Sequence, residues 1–199
     1  MKATARGPVS NGAADTIALT EPYATKVVIE GTAPILFHRW NVEAVAEKAA
    51  AAKGSKGKKT DNVESYVYRN EQQEICIPGT YIRQALVNAG KFMQDPRSPR
   101  KSLADLVKAG LIVHTQLASL GKTTWDRMDQ QRVQVQRNGI TRNRPCFEIG
   151  WRVTFDLEVI LPEYIPREVL GQLLASAGRL VGLGDYRPTY GRFQVVELK

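Results

Sequence analysis

From Trp151 onward the apolar side chains Trp151, Val153, Phe155, Leu157, Val159 and Leu161 fall on every second residue, with Arg152, Thr154, Asp156 and Glu158 between them. Successive side chains of a strand point to opposite faces, so this stretch predicts a strand with one buried and one wet face. After Thr80 the period changes. Ile82, Ala85, Leu86, Ala89 and Met93 recur at helical spacing, which predicts a helix opened by Thr80 as its N-cap. A second helix follows Pro166, a favoured residue at a helix start, with Val169, Leu170, Leu173, Leu174, Ala177 and Val181 on its apolar side.

Weaker signals fill in the rest. Lys26 to Gly31 is β-rich, ends at a glycine and is followed by a second extended stretch, Pro34 to Phe37. Leu111 to Leu117 and Arg192 to Leu198 predict two more strands. In chain order the strong elements are then strand, helix, strand, strand, helix, strand. That is the split βαβ order of a ferredoxin-like (RRM-like) βαββαβ core, an α+β fold. A flexible N-terminal arm over 1–22 shows no apolar period, and 23–199 reads as a single domain with insertions at about 38–74 and 118–148. The first insertion holds a helix capped by Asn41 that runs to Lys53, the basic stretch containing Lys56, Lys58 and Lys59, and a small hairpin from Tyr66 to Ile77 turning at Asn70 to Gln73. Ser102, with Asp105 three residues on, caps a short helix stopped by Gly110.

The net charge is +8, which favours a polyanionic partner and says little about packing. Nucleic acid is the commonest such partner. No segment has the roughly 20 apolar residues of a spanning helix, and residues 1–16 lack the apolar core of a signal peptide, so no membrane is expected as a partner. Cys76 and Cys146 lie far apart without a CxxC spacing or a nearby histidine pair, which indicates neither a disulfide framework nor a metal site. The expectation is a reduced, cytoplasmic protein without a cofactor.

Two stretches go beyond pattern. Ile75-Cys76-Ile77-Pro78-Gly79-Thr80-Tyr81-Ile82-Arg83-Gln84-Ala85-Leu86 resembles the Ile-Pro-Gly-Ser-Ser-Leu-Lys-Gly run that opens the first helix in the RAMP superfamily of CRISPR effector proteins. Thr80 stands for the serine and Arg83 for the lysine, while Gln84 replaces the usual glycine. Gly182-Leu183-Gly184-Asp185-Tyr186-Arg187-Pro188-Thr189-Tyr190-Gly191-Arg192-Phe193 is similar to that superfamily's glycine-rich loop between the second helix and the last strand. Together the two cover about an eighth of the chain. The resemblance implies a backbone subunit of a Cascade-like complex, or a solitary or viral relative. Its partners would be a single-stranded guide RNA, further copies of itself, other effector-complex subunits and, as a target, single-stranded DNA. It implies nucleic-acid contacts from Thr80, Arg83, Gly182, Gly184, Arg187, Gly191 and Arg192. Glycines admit a close phosphate, and a helix N-terminus offers free N–H donors.

The connection between Leu117 and Trp151 is far longer than a hairpin needs, and basic: Lys122, Arg127, Arg132, Arg137, Arg142 and Arg144 outnumber Asp126, Asp129 and Glu148. Arginine suits bidentate phosphate contacts and stacking on bases. A projecting β-hairpin turning at Asn138-Gly139 is predicted, with Trp125, Met128 and Ile140 as residues to wedge between bases. His38 and Arg39, after the first strand, complete the candidate nucleic-acid contacts. Some RAMP endoribonucleases carry a catalytic histidine in this region, but His38 has no evident partner in sequence, and Thr32 to Asn41 lacks the carboxylate of target-cleaving subunits. No catalytic residue is therefore assigned. His114, inside an apolar strand, reads as structural. A phage-type single-stranded DNA-binding or annealing protein and an endoribonuclease are the alternatives; a purely structural assembly protein ranks last.

Overall fold

The computed structural model describes residues 20–50, 62–135 and 138–199. Residues 1–19 of the expected arm, the lysines at 53, 56, 58 and 59, and Arg137 lie outside the described residues. The strands are β1 (Tyr23–Gly31), β2 (Ile35–Leu36), β3 (Tyr68–Arg69), β4 (Ile75–Pro78), β5 (Leu111–Val113), β6 (Leu117–Ser119), β7 (Arg127–Val135), β8 (Asn138–Phe147), β9 (Arg152–Val159) and β10 (Phe193–Leu198). The helices are α1 (Val42–Ala50), α2 (Gly79–Ala89), α3 (Ala104–Gly110) and α4 (Arg167–Ser176). This is an α+β chain with three antiparallel sheets.

The main sheet has the order β10-β1-β9-β5. Val27, Ile29, Val153, Phe155, Leu157 and Val159 alternate inward along β1 and β9 and join Ile82, Ala85, Leu86 and Ala89 of α2 and Leu170, Leu173 and Leu174 of α4 in one core. Both apolar periods in the sequence thus converge on the same interior. The opposite face of the sheet is open and charge-paired: Lys26 lies 3.7 Å from Asp156, Arg152 3.1 Å from Glu30 and His114 2.8 Å from Glu158. His114 is accordingly an exposed surface group, a correction to its expected place inside an apolar strand.

At Gly31 the chain leaves the main sheet. A side chain there would collide with the Trp151 indole, whose Nε1–H donates to the Ala33 carbonyl at 2.9 Å. β2 then joins a second sheet, β2-β8-β7, and β4 centres a third, β3-β4-β6. Among the described residues no helix is long and apolar enough to cross a membrane.

Four local expectations need correction. Leu111 to Leu117 is two strands, because His114, Thr115 and Gln116 turn the chain from one sheet to another: the His114 amide donates to Asp156, and the Gln116 carbonyl accepts from Gly79. That last bond starts α2 directly off β4, with extended Pro78 as the cap residue, so Thr80 lies inside the first turn and caps nothing. Ser102 likewise bridges Gln94, and α3 begins after buried Leu103. Finally, Asn138 and Gly139 pair with Val135 and Gln134, so they belong to the strand ladder and not to the turn. The Asn41 side chain does cap α1, accepting from the Glu43 amide at 3.0 Å.

Candidate nucleic-acid interface

The loop between α4 and β10 is held by the chain's own backbone. α4 widens into a π-turn over Ala177–Val181, closed by the Gly182 amide donating to Ala177. The Asp185 amide then donates to Leu36 at 2.9 Å, the Gly191 amide to Pro34 at 2.7 Å and the Leu183 amide to Gly191 at 2.9 Å. Gly182, Gly184 and Gly191 all have positive φ. A β-carbon on Gly184 would meet the Leu36 carbonyl, and one on Gly191 would overlap that of Leu183. The close approach that these glycines permit is therefore to protein carbonyls, a correction to the expected approach of a phosphate.

Seated in this way, the loop places Asp185 between the end of β2 and the base of the β7–β8 hairpin. Arg144 is buried, its Nε donating to Asp185 Oδ2 at 2.6 Å and its guanidinium lying 4.4 Å from the centre of the Tyr186 ring. His38 Nδ1 is 3.6 Å from the same carboxylate oxygen, and the Tyr186 amide donates to Oδ1 at 3.0 Å. His38 thus has the acidic neighbour that the sequence did not reveal. The His38 imidazole and, against the desolvation of burial, the Arg144 guanidinium hold the Asp185 carboxyl down at about 2.

A groove opens beside this cluster. Its first hollow, about 280 Å³, is lined by Leu36, Phe37, His38, Arg39, Tyr68, Tyr81, Gln84, Gly184, Asp185 and Arg187. The second, about 530 Å³, shares Gly184, Asp185 and Arg187 and continues past Asn88, Lys91, Phe92 and Leu180 to Pro188. Tyr81, Gln84, Asn88 and Lys91 follow one another at helical spacing, so one face of α2 and its continuation runs the length of the groove. The Arg39 guanidinium lies 4.6 Å from the Tyr68 ring centre, and the Tyr68 and Tyr81 hydroxyls are 3.2 Å apart. Burial and the hydrogen bond with Tyr68 push the Tyr81 phenol up to about 12. Phe92 and Trp40 are largely exposed.

No protein-family model and no curated protein matches the chain. What the site can do therefore rests on its own chemistry. Cations interleaved with aromatic rings along a groove suit a single strand, whose phosphates need charge and whose bases need flat partners. Of the residues expected from sequence, the groove gathers His38, Arg39, Gly184 and Arg187. It leaves out Thr80, Arg83, whose guanidinium donates to the Lys108 carbonyl at 2.6 Å, and exposed Arg192, whose carbonyl accepts from the Thr32 and Ala33 amides. It adds Tyr68, Tyr81, Gln84, Asn88, Lys91 and Phe92, which sequence reasoning missed. Tyr81, Gln84, Asn88 and Lys91 had one signal, their shared spacing along α2 and its continuation; Tyr68, on β3, and Phe92 had none.

The hairpin is less available than its arginines suggested. Arg127 is matched by Asp129 and Glu148, Lys122 by Asp126 and Arg144 by Asp185. Gln131 reaches Tyr190 at 3.3 Å, so the hairpin base is tied to the loop. Trp125 packs against the core and is no wedge, while Arg132 is exposed.

The shift at Asp185 has a measurable consequence. Its folded-state value lies below the ordinary 3.8, so the stabilisation is complete above that value and is lost as the pH falls towards about 2. We expect the difference in Tm between the parent and Asp185→Asn to be constant at neutral pH and to shrink across that window, as followed by circular dichroism melts. A constant difference down to the acid end would mean that the carboxylate's charge is not what stabilises the cluster.

Proposed function

We propose that this protein is a non-catalytic single-stranded nucleic-acid-binding subunit, with RNA as its ligand, built on a ferredoxin-like βαββαβ core. In this reading it assembles with further copies of itself and with other subunits along a guide strand, as in a CRISPR effector-like complex. The observation that carries the reading is the pair of adjoining hollows, sharing Gly184, Asp185 and Arg187, that gathers Arg39, Arg187 and Lys91 with Tyr68, Tyr81 and Phe92. The antiparallel order β10-β1-β9-β5, with α2 between β1 and β5 and α4 between β9 and β10, supports the proposed core. The open face of that sheet favours the groove as the interface, since its strand positions carry Lys26, Glu30, Thr154 and Asp156 and no aromatic platform.

One observation favours RNA cleavage as a second reading: His38 stands beside Asp185, as a general base beside an orienting carboxylate would. Two others weigh against it. Asp185 is shared with buried Arg144, and Tyr81, a phenol lining the same hollow, holds its proton up to about 12. The proposal therefore keeps His38 as a contact.

Titrating a fluorescent single-stranded RNA with the full chain at several salt concentrations tests this directly. Affinity should fall steeply with salt, by about 0.7 log units per log unit of salt for each phosphate neutralised. The tryptophan emission should also be quenched, and Trp40→Phe should remove most of that quench, because Trp151 is buried and Trp125 packs on the core. Binding that ignores salt would overturn the groove as a phosphate track. Tighter binding of DNA than of RNA would move the reading to a DNA-binding protein, and shortened RNA on a denaturing gel, lost with His38→Ala, would make it a nuclease.

A further inference from the structure

Between α2 and α3 the stretch Asp95-Pro96-Arg97-Ser98-Pro99-Arg100-Lys101 repeats one short pattern, a polar residue followed by proline and arginine. Asp or Ser is favoured at the first position of a β-turn and proline at the second, where its ring presets the φ that the turn needs. Both turns form. The Ser98 amide donates to the Asp95 carbonyl at 3.1 Å and the Lys101 amide to the Ser98 carbonyl at 3.2 Å, so the two turns share Ser98. Their ends are tied together, with the Asp95 amide donating to the Lys101 carbonyl at 2.9 Å and Gln94 bridging Ser102.

Arg97 and Arg100 hold the same place in successive turns and meet different surroundings. Asp95 is buried, and its carboxylate is committed within the first turn: Oδ1 accepts from the Arg97 amide at 2.8 Å and Oδ2 from the Arg97 guanidinium at 2.7 Å. That guanidinium also lies 5.3 Å from the centre of the Tyr164 ring, just ahead of α4. Arg97 is thus a fastening, neutralised by the acid it holds. The second turn begins with Ser98, which brings no acid. Arg100 and Lys101 are exposed, and among the described residues neither has an ion-pair partner. A fastened loop that presents two cations loses little freedom when it binds. Its place in the chain supplies a target: Lys91 and largely exposed Phe92 line the second hollow, and Gln94 lies within about 7 Å of Phe92 by the reach of the chain.

We infer that the double turn over residues 95–101 is a second contact for the bound strand, at which Arg100 and Lys101 hold phosphates of nucleotides that have left the groove past Phe92. The inference rests on the groove reading above and extends its footprint beyond the two hollows.

The experiment compares the unaltered full chain with Arg100→Glu with Lys101→Glu for affinity to oligouridylates of increasing length, kept to lengths that take one protomer. At about 0.15 M salt, where exposed charges more than ~8 Å apart are largely screened, the two should agree within about twofold for the shortest strand that binds. As the strand lengthens, the parent should gain affinity and the variant should not. The gap should reach about tenfold, with a salt slope lower by ~1.4, the share of two phosphates. Lys108→Glu with Arg192→Glu makes the same change in net charge at exposed positions outside the groove and should leave the length dependence intact. An equal loss at every length, or the same flattening in that control, overturns the loop contact and reduces its charge to diffuse attraction. A variant that matches the parent at every length overturns it too; if that variant also fails to add protomers to longer strands, the loop is a contact between copies. In each of these cases the groove reading stands. No binding of any strand by the parent overturns both.

Discussion

Gly191→Val should cost this protein its fold, with a drop in Tm on the order of 10 °C or more and no soluble nucleic-acid-binding fraction above it. Positive φ alone costs a β-branched residue about 1–2 kcal/mol. At Gly191 a side chain would in addition overlap the Leu183 carbonyl, the same group of the loop whose amide donates back to Gly191. Relieving that overlap breaks the bond to Leu183 and the one to Pro34, each worth about 1 kcal/mol net. The total approaches the ~4 kcal/mol that marks an exceptional single substitution, and each kcal/mol moves the Tm of a chain this size by about 2–4 °C. Gly121→Ala is the control. It shares a positive φ, +67°, and has nothing within 4 Å of its β-carbon, so it should lose only about 1 kcal/mol. Melts of the two variants by circular dichroism decide the matter. A folded Gly191→Val that merely binds less would return the loop to a direct role at the ligand.

The contrast between these glycines explains how much of the molecule could be read in advance. Hydrophobic periods reveal which face of an element is buried, so the alternation from Trp151 and the spacing of Ile82, Ala85, Leu86 and Ala89 identified the main sheet and its two crossing helices. Periods do not reveal which partner satisfies a backbone group. The Gly79 amide is taken by Gln116, which starts α2 ahead of Thr80, and the pairing of Cys146 and Phe147 with β2 anchors a hairpin register that overrides the Asn138-Gly139 turn signal. Glycines are ambiguous for the same reason: a sequence says that backbone comes close to something, and only the fold says that the something is Leu36 or Leu183.

The site was legible in its chemistry and not in its arrangement. Arginine-rich composition pointed to the β7–β8 hairpin, yet the acid that neutralises Arg144 sits 41 positions later in the glycine loop. Tyr68 and Tyr81 belong to different elements and meet only because β4 runs straight into α2. His38 gained its neighbour in the same way, from a loop that returns to β2.

That rearrangement sets the last expectation. Reversing the charges of the groove, Arg39→Glu with Arg187→Glu, should reduce affinity for single-stranded RNA by more than about 100-fold at low salt and lower the salt slope by ~1.4, the share of two phosphates. The fold should tolerate it. Arg187 is exposed, and Arg39 contributes a partly exposed stack on Tyr68 worth about 0.5–1 kcal/mol, so the Tm should fall by only a few degrees. Arg144→Glu makes the opposite case. Its guanidinium is buried against Asp185, and placing a second carboxylate there should destabilise the protein by at least the ~3–5 kcal/mol of a broken buried pair. Exposed Arg132, across β7–β8 from Thr141, is the position at which to test assembly apart from strand binding. Arg132→Glu should leave the affinity for a strand of one-protomer length nearly unchanged and reduce the stepwise addition of protomers to longer strands, read by mass photometry. If Arg39→Glu with Arg187→Glu binds as the parent does while Arg132→Glu does not, the strand lies on the hairpin and the groove serves another ligand.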